Sequence, residues 1–195
     1  MLKRLAFISL LLLAAALPAA AQEWPAKTVR IMVPFGPGST PDIVARLIAD
    51  GLKKEYPDSV FVVENKPGAS GNLGTDAVAK AAPDGSTIGV SIGGPLAINT
   101  LLFTNLPYDP RKDIAAVTQL ITQPSALAVN PDLKVNSVAE LVALIKANPG
   151  KYNFSSIGNG SLSHLAMEAI AIKAGTKLVH VPYTSSPQAI TAVHR

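Results

Sequence analysis

Phe35-Gly36-Pro37-Gly38-Ser39-Thr40 is the stretch whose residue types offer the clearest chemistry. Gly36 and Gly38 leave the main chain bare, and Ser39 and Thr40 add hydroxyls. An apolar run, Val29–Val33, leads into the loop, and the pattern predicts a helix starting at about Asp42. The first turn of a helix leaves N–H groups without intrahelical partners. A glycine loop feeding such a turn suits a phosphate or a carboxylate. The same residues also fit an ordinary strand-to-helix turn with Asp42 as its N-cap. A second stretch repeats the arrangement: Gly158-Asn159-Gly160-Ser161, with Ser163 close behind, again between a strand and a helix. One loop in each half would present neutral donors to an anion across a cleft, and such a cleft can close about a hinge.

Catalytic chemistry finds less support. His164, His180 and His194 lack metal-ligand spacing, and there is no cysteine. Ser161 follows two glycines in the wrong order for a nucleophile turn. His164, one helical turn beyond it, reads as a packing or capping residue more readily than as a base. Neither a P-loop nor a complete dinucleotide fingerprint is present. The reading is therefore a binder and not an enzyme, with no cofactor and no metal.

The elements that would position these loops alternate between strand and helix. Val29–Val33, Val60–Glu64 and Thr87–Ile92 read as strands. The helix from Asp42 to Glu55 is expected to bury Ile43, Val44, Leu47, Ile48 and Leu52, and a further helix runs over about Leu73–Ala81. Loops near Gly36, Gly68 and Gly93 follow the three strands, so they should share one rim. A short helix is expected over Ala97–Phe103, then extended segments at Ile114–Thr122 and Ser125–Asn130, with a domain crossing near residues 120–124. Ser137-x-x-Glu140 is a capping box ahead of a helix over Val138–Ala147. Tyr152–Ile157, a helix over Leu162–Ala174 burying Leu165, Ala169 and Ile172, Lys177–Val181 and a last helix from Pro187 complete the pattern.

Composition agrees. Of 195 residues, 48% are hydrophobic and 15% charged, enough for a core and too few charges for a nucleic-acid binder. Met1-Leu2-Lys3-Arg4, the apolar run Leu5–Leu17 and the small residues Ala19 and Ala21 read as a secretory signal, cut before about Gln22. Its removal leaves 15 basic and 13 acidic residues, a weak bias that fits an anionic ligand without requiring one.

Taken in order, the motifs resemble the extracytoplasmic receptors of the tripartite tricarboxylate transporter system, the Bug or TctC family. They are Trp24-Pro25, Val33-Pro34-Phe35-Gly36-Pro37-Gly38-Ser39-Thr40-Pro41-Asp42, Glu64-Asn65-Lys66-Pro67-Gly68-Ala69-Ser70-Gly71-Asn72-Leu73-Gly74, and Ala82-Pro83-Asp84-Gly85. Leu106-Pro107-Tyr108-Asp109-Pro110, Gly158-Asn159-Gly160-Ser161 with Ser163-His164-Leu165, and His180-Val181-Pro182-Tyr183 follow. The resemblance implies an α/β, two-domain periplasmic-binding-protein (Venus flytrap) fold. On this chain the boundaries are a signal over residues 1–21, a first domain over 22–121 and a second over 122–195. It implies a monomeric periplasmic receptor that passes a small carboxylate to membrane transporter subunits. The carboxylate would be held by main-chain and hydroxyl donors at Phe35, Gly36, Gly38, Ser39 and Thr40, and at Asn159, Gly160, Ser161 and Ser163. Asp42 matches a loop aspartate that takes part in ligand selection, and its reading as N-cap stays open beside that.

The chain departs from the family at two points. Ser39 stands where a second consecutive glycine is common, and Pro41 where Thr or Ser is common. Family members also run to roughly 300 residues, and the chain then returns to the first domain. The expectation is an incomplete second domain, a missing return, and apolar faces left exposed. A truncated, non-functional relic of such a receptor and a small α/β enzyme acting on an anion are the alternative readings.

Overall fold

Strand β1, Thr28–Val33, sits at the centre of a three-stranded parallel sheet. Val29, Ile31 and Val33 are fully buried on one face, and Met32 is buried on the other. A β-branched run of this kind suits a strand covered on both faces. β2, Val60–Asn65, and β3, Thr87–Gly89, flank it, with Ile31 opposite both Val63 and Ile88. The computed structural model describes residues 24–194. The signal and its cleavage before Gln22 lie outside the described residues.

Helix α1, Thr40–Glu55, covers the Ile31 face. It starts two residues before the expected Asp42, with Ser39 in the N-cap position and Pro41 in the first turn, where a missing N–H costs nothing. Its buried face is also rotated from the expected one. Ala45 and Ala49 meet the sheet, Val44 and Leu52 pack at the margin, and Ile43 and Leu47 are 53% and 65% exposed. The small side chains let the helix axis lie close to β1, and the apolar stripe alone does not choose between adjacent faces. Helix α2, Asn72–Ala79, covers the other side of the sheet after a tight turn at Ala69–Gly71. A Cβ on Gly74 would stand 2.6 Å from Pro34 Cα, so only glycine permits this approach.

β3 ends at Gly89, short of the expected Ile92, although the Val90 N–H still donates to Met32 O at 3.0 Å. The chain then coils through Gly94–Ile98 into the short helix α3, Asn99–Leu102. The extended segments expected at Ile114–Thr122 and Ser125–Asn130 are not strands. Their residues are almost all exposed, and none of the described strands pairs with them. A strand without a ladder leaves its N–H and C=O groups unpaired, so local β-propensity is not sufficient.

The second half holds a two-stranded parallel sheet of β4, Asn153–Ser156, and β5, Val179–Pro182. Helix α4, Val138–Ala147, opens on the expected capping box, with the Glu140 N–H donating to Ser137 Oγ at 3.2 Å. The Glu140 carboxylate reaches one residue further back than expected and accepts from the Asn136 N–H at 2.7 Å. Leu141 and Ile145 form a core with Ile170, Ala174 and Leu178. Helix α5, Leu162–Ala174, has the expected bounds but another buried face. Ala171 and Ala174 point inward, Leu165 is half-buried, and Ala169 and Ile172 are exposed. Apolar residues run nearly all round this helix, so its sequence does not single out one face. Helix α6, Ser186–Val193, follows β5.

The rotated face of α1 is open to test by urea unfolding. Ala45→Leu overpacks the contact with β1 and is expected to cost about 1–3 kcal/mol. Leu47→Ala should change stability by less than about 0.5 kcal/mol. The reverse order would show that the helix faces the other way.

Candidate functional site

The loops after β1, β2 and β3 meet at one rim, as expected. Phe35 is buried, with its ring against Gly71, which in turn abuts Pro95. A buried network stiffens the rim: Asn99 Nδ2 donates to Asn72 Oδ1 at 2.6 Å and to Ser70 O at 3.2 Å. The Tyr108 hydroxyl donates to Pro95 O at 2.8 Å. Burial pushes the Tyr108 hydroxyl pKa up, which keeps it a donor.

Asp42 organises the first loop. One of its oxygens accepts from the Gly38 N–H at 2.9 Å and from Arg46 Nε at 3.2 Å. The other accepts from Arg46 Nη2 and from Asn65 Nδ2, both at 2.9 Å. Asn65 Nδ2 also donates to Phe35 O at 2.9 Å. Asp42 is therefore not the N-cap. It sits three residues past that position and reaches back over the turn, as a capping-box acid does. Burial pushes its carboxyl pKa up, but the bonds from Arg46, Gly38 and Asn65 together outweigh that and hold it below the usual value. Gly38 is left-handed at φ +76°.

This clamp spends Asp42 and leaves other groups unspent. Ser39 is fully buried, and its Oγ finds no partner among the described residues. Nor do the Thr40 and Asp42 N–H groups at the start of α1. Across the seam, the Gly36 N–H donates to Thr184 O at 2.9 Å. A Cβ on Gly36 would stand 3.0 Å from Ser185 Cβ, and one on Gly38 would stand 3.0 Å from Pro187 Cγ. The direct partner of the first loop is thus Thr184–Pro187 at the start of α6.

The second loop meets the rim elsewhere. A Cβ on Gly158 would lie 3.2 Å from Ser70, and one on Gly160 would lie 2.6 Å from Asn99 Oδ1. Ser161 is buried as the N-cap of α5, accepting from the His164 N–H at 3.3 Å and donating to Gly158 O at 2.7 Å. Ser163 Oγ lies 3.0 Å from Ser161 Oγ and accepts from the Ile157 N–H at 3.4 Å. Asn159 is exposed. His164 Nδ1 accepts from the Gly160 N–H at 3.1 Å, the capping role that the sequence suggested. The N–H groups of Asn159, Leu162 and Ser163 find no acceptor among the described residues.

Of the ten predicted site residues, Gly36, Gly38 and Gly160 pack across one seam, whose two groups are linked through Phe35, Gly71, Ser70 and Gly158. Asp42 turns inward to its clamp, and Asn159 and Ser163 are exposed. Sequence reasoning missed Ser70, Asn99, Thr184 and Ser185 as its other walls. Ser185-Ser186-Pro187, a helix-start pattern after a strand, carried the signal for the last two. Asn99 carried none. The sequence does hold one GxSxG spacing, contrary to a reading without it, at Gly89-Val90-Ser91-Ile92-Gly93. Ser91 Oγ is buried without a partner among the described residues, so no base reaches it and the spacing alone makes no nucleophile. No group of three metal-ligating side chains occurs among the described residues.

Residues 44–195 match the family model described as the tripartite tricarboxylate transporter family receptor. The chain is 37% identical over 176 residues to protein BugT of Bordetella pertussis, covering 90% of this chain and 54% of that one. Among solved structures, R. palustris Rpa4515 with adipate superposes with a TM-score of 0.84 at 34% identity, over 88% of this chain and 57% of that one. MatC (Rpa3494) from Rhodopseudomonas palustris with bound malate gives 0.80 at 30% identity, over 87% and 57%. The chain spans about half the length of the curated relatives it matches. Its two sheets and their helices are part of the α/β periplasmic-binding-protein fold of these proteins, and the chain belongs to the tripartite tricarboxylate transporter receptor family.

Proposed function

We propose that the chain carries the carboxylate-binding part of a periplasmic receptor that delivers its ligand to a tripartite tricarboxylate-type membrane transporter. One observation carries this reading. At the start of α1 the buried Ser39 hydroxyl and the Thr40 and Asp42 N–H groups lack partners within the described chain. Buried polar groups in proteins are normally paired, so an unpaired cluster of donors at a helix start favours an acceptor from outside. A carboxylate has the charge for the helix end and lone pairs for several donors.

Asp42 has a positioning role in this reading. Its oxygens are occupied by Gly38, Arg46 and Asn65, so it shapes the loop instead of touching the ligand. Arg46 is neutralised by the same pair. The anion would then be held by uncharged donors, as the sequence suggested. The two solved neighbours described above carry adipate and malate, which are dicarboxylates. That class is proposed here, with Ser39, Thr40, Ser161 and Ser163 at its walls.

Calorimetric titration of the purified chain with malate and with adipate tests the reading. Saturable binding of at least one is expected. Ser39→Ala removes a hydrogen bond to a charged group, so it should weaken that binding by about tenfold or more. A folded chain that binds no member of a di- and tricarboxylate panel would sink the proposal. Asp42 makes a separate prediction about stability. Its folded pKa lies below its unfolded one, so its contribution is present above the unfolded value near 4 and is lost as pH falls through the folded value. Asp42→Asn should lower the urea midpoint at neutral pH and flatten this acid limb. An unchanged limb would show that the Asp42 carboxylate does not carry it.

A further inference from the structure

The three aromatic rings behind the second loop form a stack. His164 on α5 and His180 on β5 lie 4.1 Å apart between ring centroids, and Phe154 on β4 lies 4.8 Å from His180. Each histidine is tied to a different residue of the loop. His164 Nδ1 accepts from the Gly160 N–H. His180 Nε2 lies 2.6 Å from Ser156 Oγ, which accepts from the Gly158 N–H at 3.0 Å. The loop is thus held at two points by imidazole nitrogens, directly at Gly160 and through Ser156 at Gly158.

We propose that His164 and His180 are a proton-sensitive positioning pair for the Gly158–Ser163 loop, and that acidification releases the loop. The chemistry follows from the bond at Gly160. An N–H donates there to Nδ1, so that nitrogen must carry a lone pair. An imidazolium has a proton on both nitrogens, which would set two donors against each other across 3.1 Å. Glu168, on the same helix, has an oxygen 3.9 Å from His164 Nε2 and favours a proton on that side, leaving Nδ1 to accept. It is the only acid within 4 Å of either ring's nitrogens among the described residues.

The surroundings of His180 disfavour a proton on its ring. Burial, then the neighbouring His164, lowers the pKa of His180, and the opposing pull of Glu168 does not cancel them. A positive charge on His164 therefore disfavours one on His180. The sign for stability is fixed by the same fact. A histidine with a folded pKa below its unfolded one loses stability as pH drops below about 6.5.

This rests on the carboxylate reading only for its effect on ligand, so two measurements separate them. The first uses the ligand-free chain. Imidazole nitrogen NMR at pH 7.5 should show His164 protonated on Nε2 alone. The Gly160 amide resonance should then shift on acidification with the same midpoint as His164. In His164→Asn, whose Oδ1 can replace the Nδ1 acceptor, that resonance should stay close to its neutral position throughout. A His164 protonated on Nδ1 at neutral pH, or a Gly160 amide blind to its titration, overturns the proposal.

The second measurement is calorimetry with malate and with adipate between pH 7.5 and 5.5. A required deprotonation weakens binding by up to about tenfold per pH unit below its midpoint. Wild-type affinity should fall more steeply than that of His164→Asn, which reports the ligand's own titration. Equal slopes, or an affinity that rises in acid through attraction to an imidazolium, count against release while leaving the receptor reading intact. If neither ligand binds, that reading fails, and the amide titration alone decides the pair.

Discussion

At 2.9 Å, the hydrogen bond from the Gly36 N–H to the Thr184 carbonyl sets how closely the two halves of the chain stand. The approach is main chain against main chain, and it crowds residue 36, where a Cβ would stand 3.0 Å from Ser185 Cβ and 3.4 Å from Thr184 O. Close contacts, mostly with side chains, recur along the seam. Gly38 faces Pro187, Gly158 faces Ser70, and Gly160 faces Asn99. Glycine at these places costs conformational entropy in the unfolded chain. What it gives in return is close approach: the N–H groups of Gly36, Gly38, Gly158 and Gly160 all go to fixing the seam, on Thr184 O, Asp42, Ser156 and His164.

The polar side chains of the seam divide into builders and bystanders. Asp42, Arg46 and Asn65 close on one another and on Gly38, and Ser161 closes on Gly158 and His164. These groups have spent their hydrogen-bonding capacity on loop shape. Among the described residues, the groups with capacity left include the Ser39 hydroxyl, Asn99 Oδ1 and N–H groups at the starts of α1 and α5. Arg46 is held in an internal pair with Asp42, so in the proposed reading a negative ligand meets the dipoles of the helix starts. Oriented dipoles act at short range and in a fixed direction, so the placing of the loops matters more than net charge.

Much of this was legible in the residues. The alternation of short β-branched runs with amphipathic stretches gave the α/β class, and Gly-Pro-Gly-Ser-Thr and Gly-Asn-Gly-Ser marked both loops before helices. The capping box at Ser137 was readable because its partners lie three residues apart. The errors share a cause. Ile43 and Leu47 were assigned to a buried face that Ala45 and Ala49 occupy, and Ala169 and Ile172 were placed inside a helix that buries Ala171 and Ala174. Periodicity locates a stripe, but the neighbour that covers it decides which edge of the stripe goes under. The extended segments between residues 114 and 130 failed for a related reason, since a strand is defined by a partner that local sequence does not contain.

The sequence by itself determined the strand–helix alternation, the glycine loops ahead of the helices and the capping box at Ser137, because each depends on residues within a few positions of one another. Tertiary structure alone decided that Asp42 is a clamp three residues inside the helix, since Asn65 reaches it from a different strand's end. It also decided that the first loop meets Thr184–Pro187, and that two histidines sixteen residues apart stack at 4.1 Å behind the second. Those contacts join residues far apart in the chain. Their geometry is set by how the sheets and helices pack, a property no local window of residues contains.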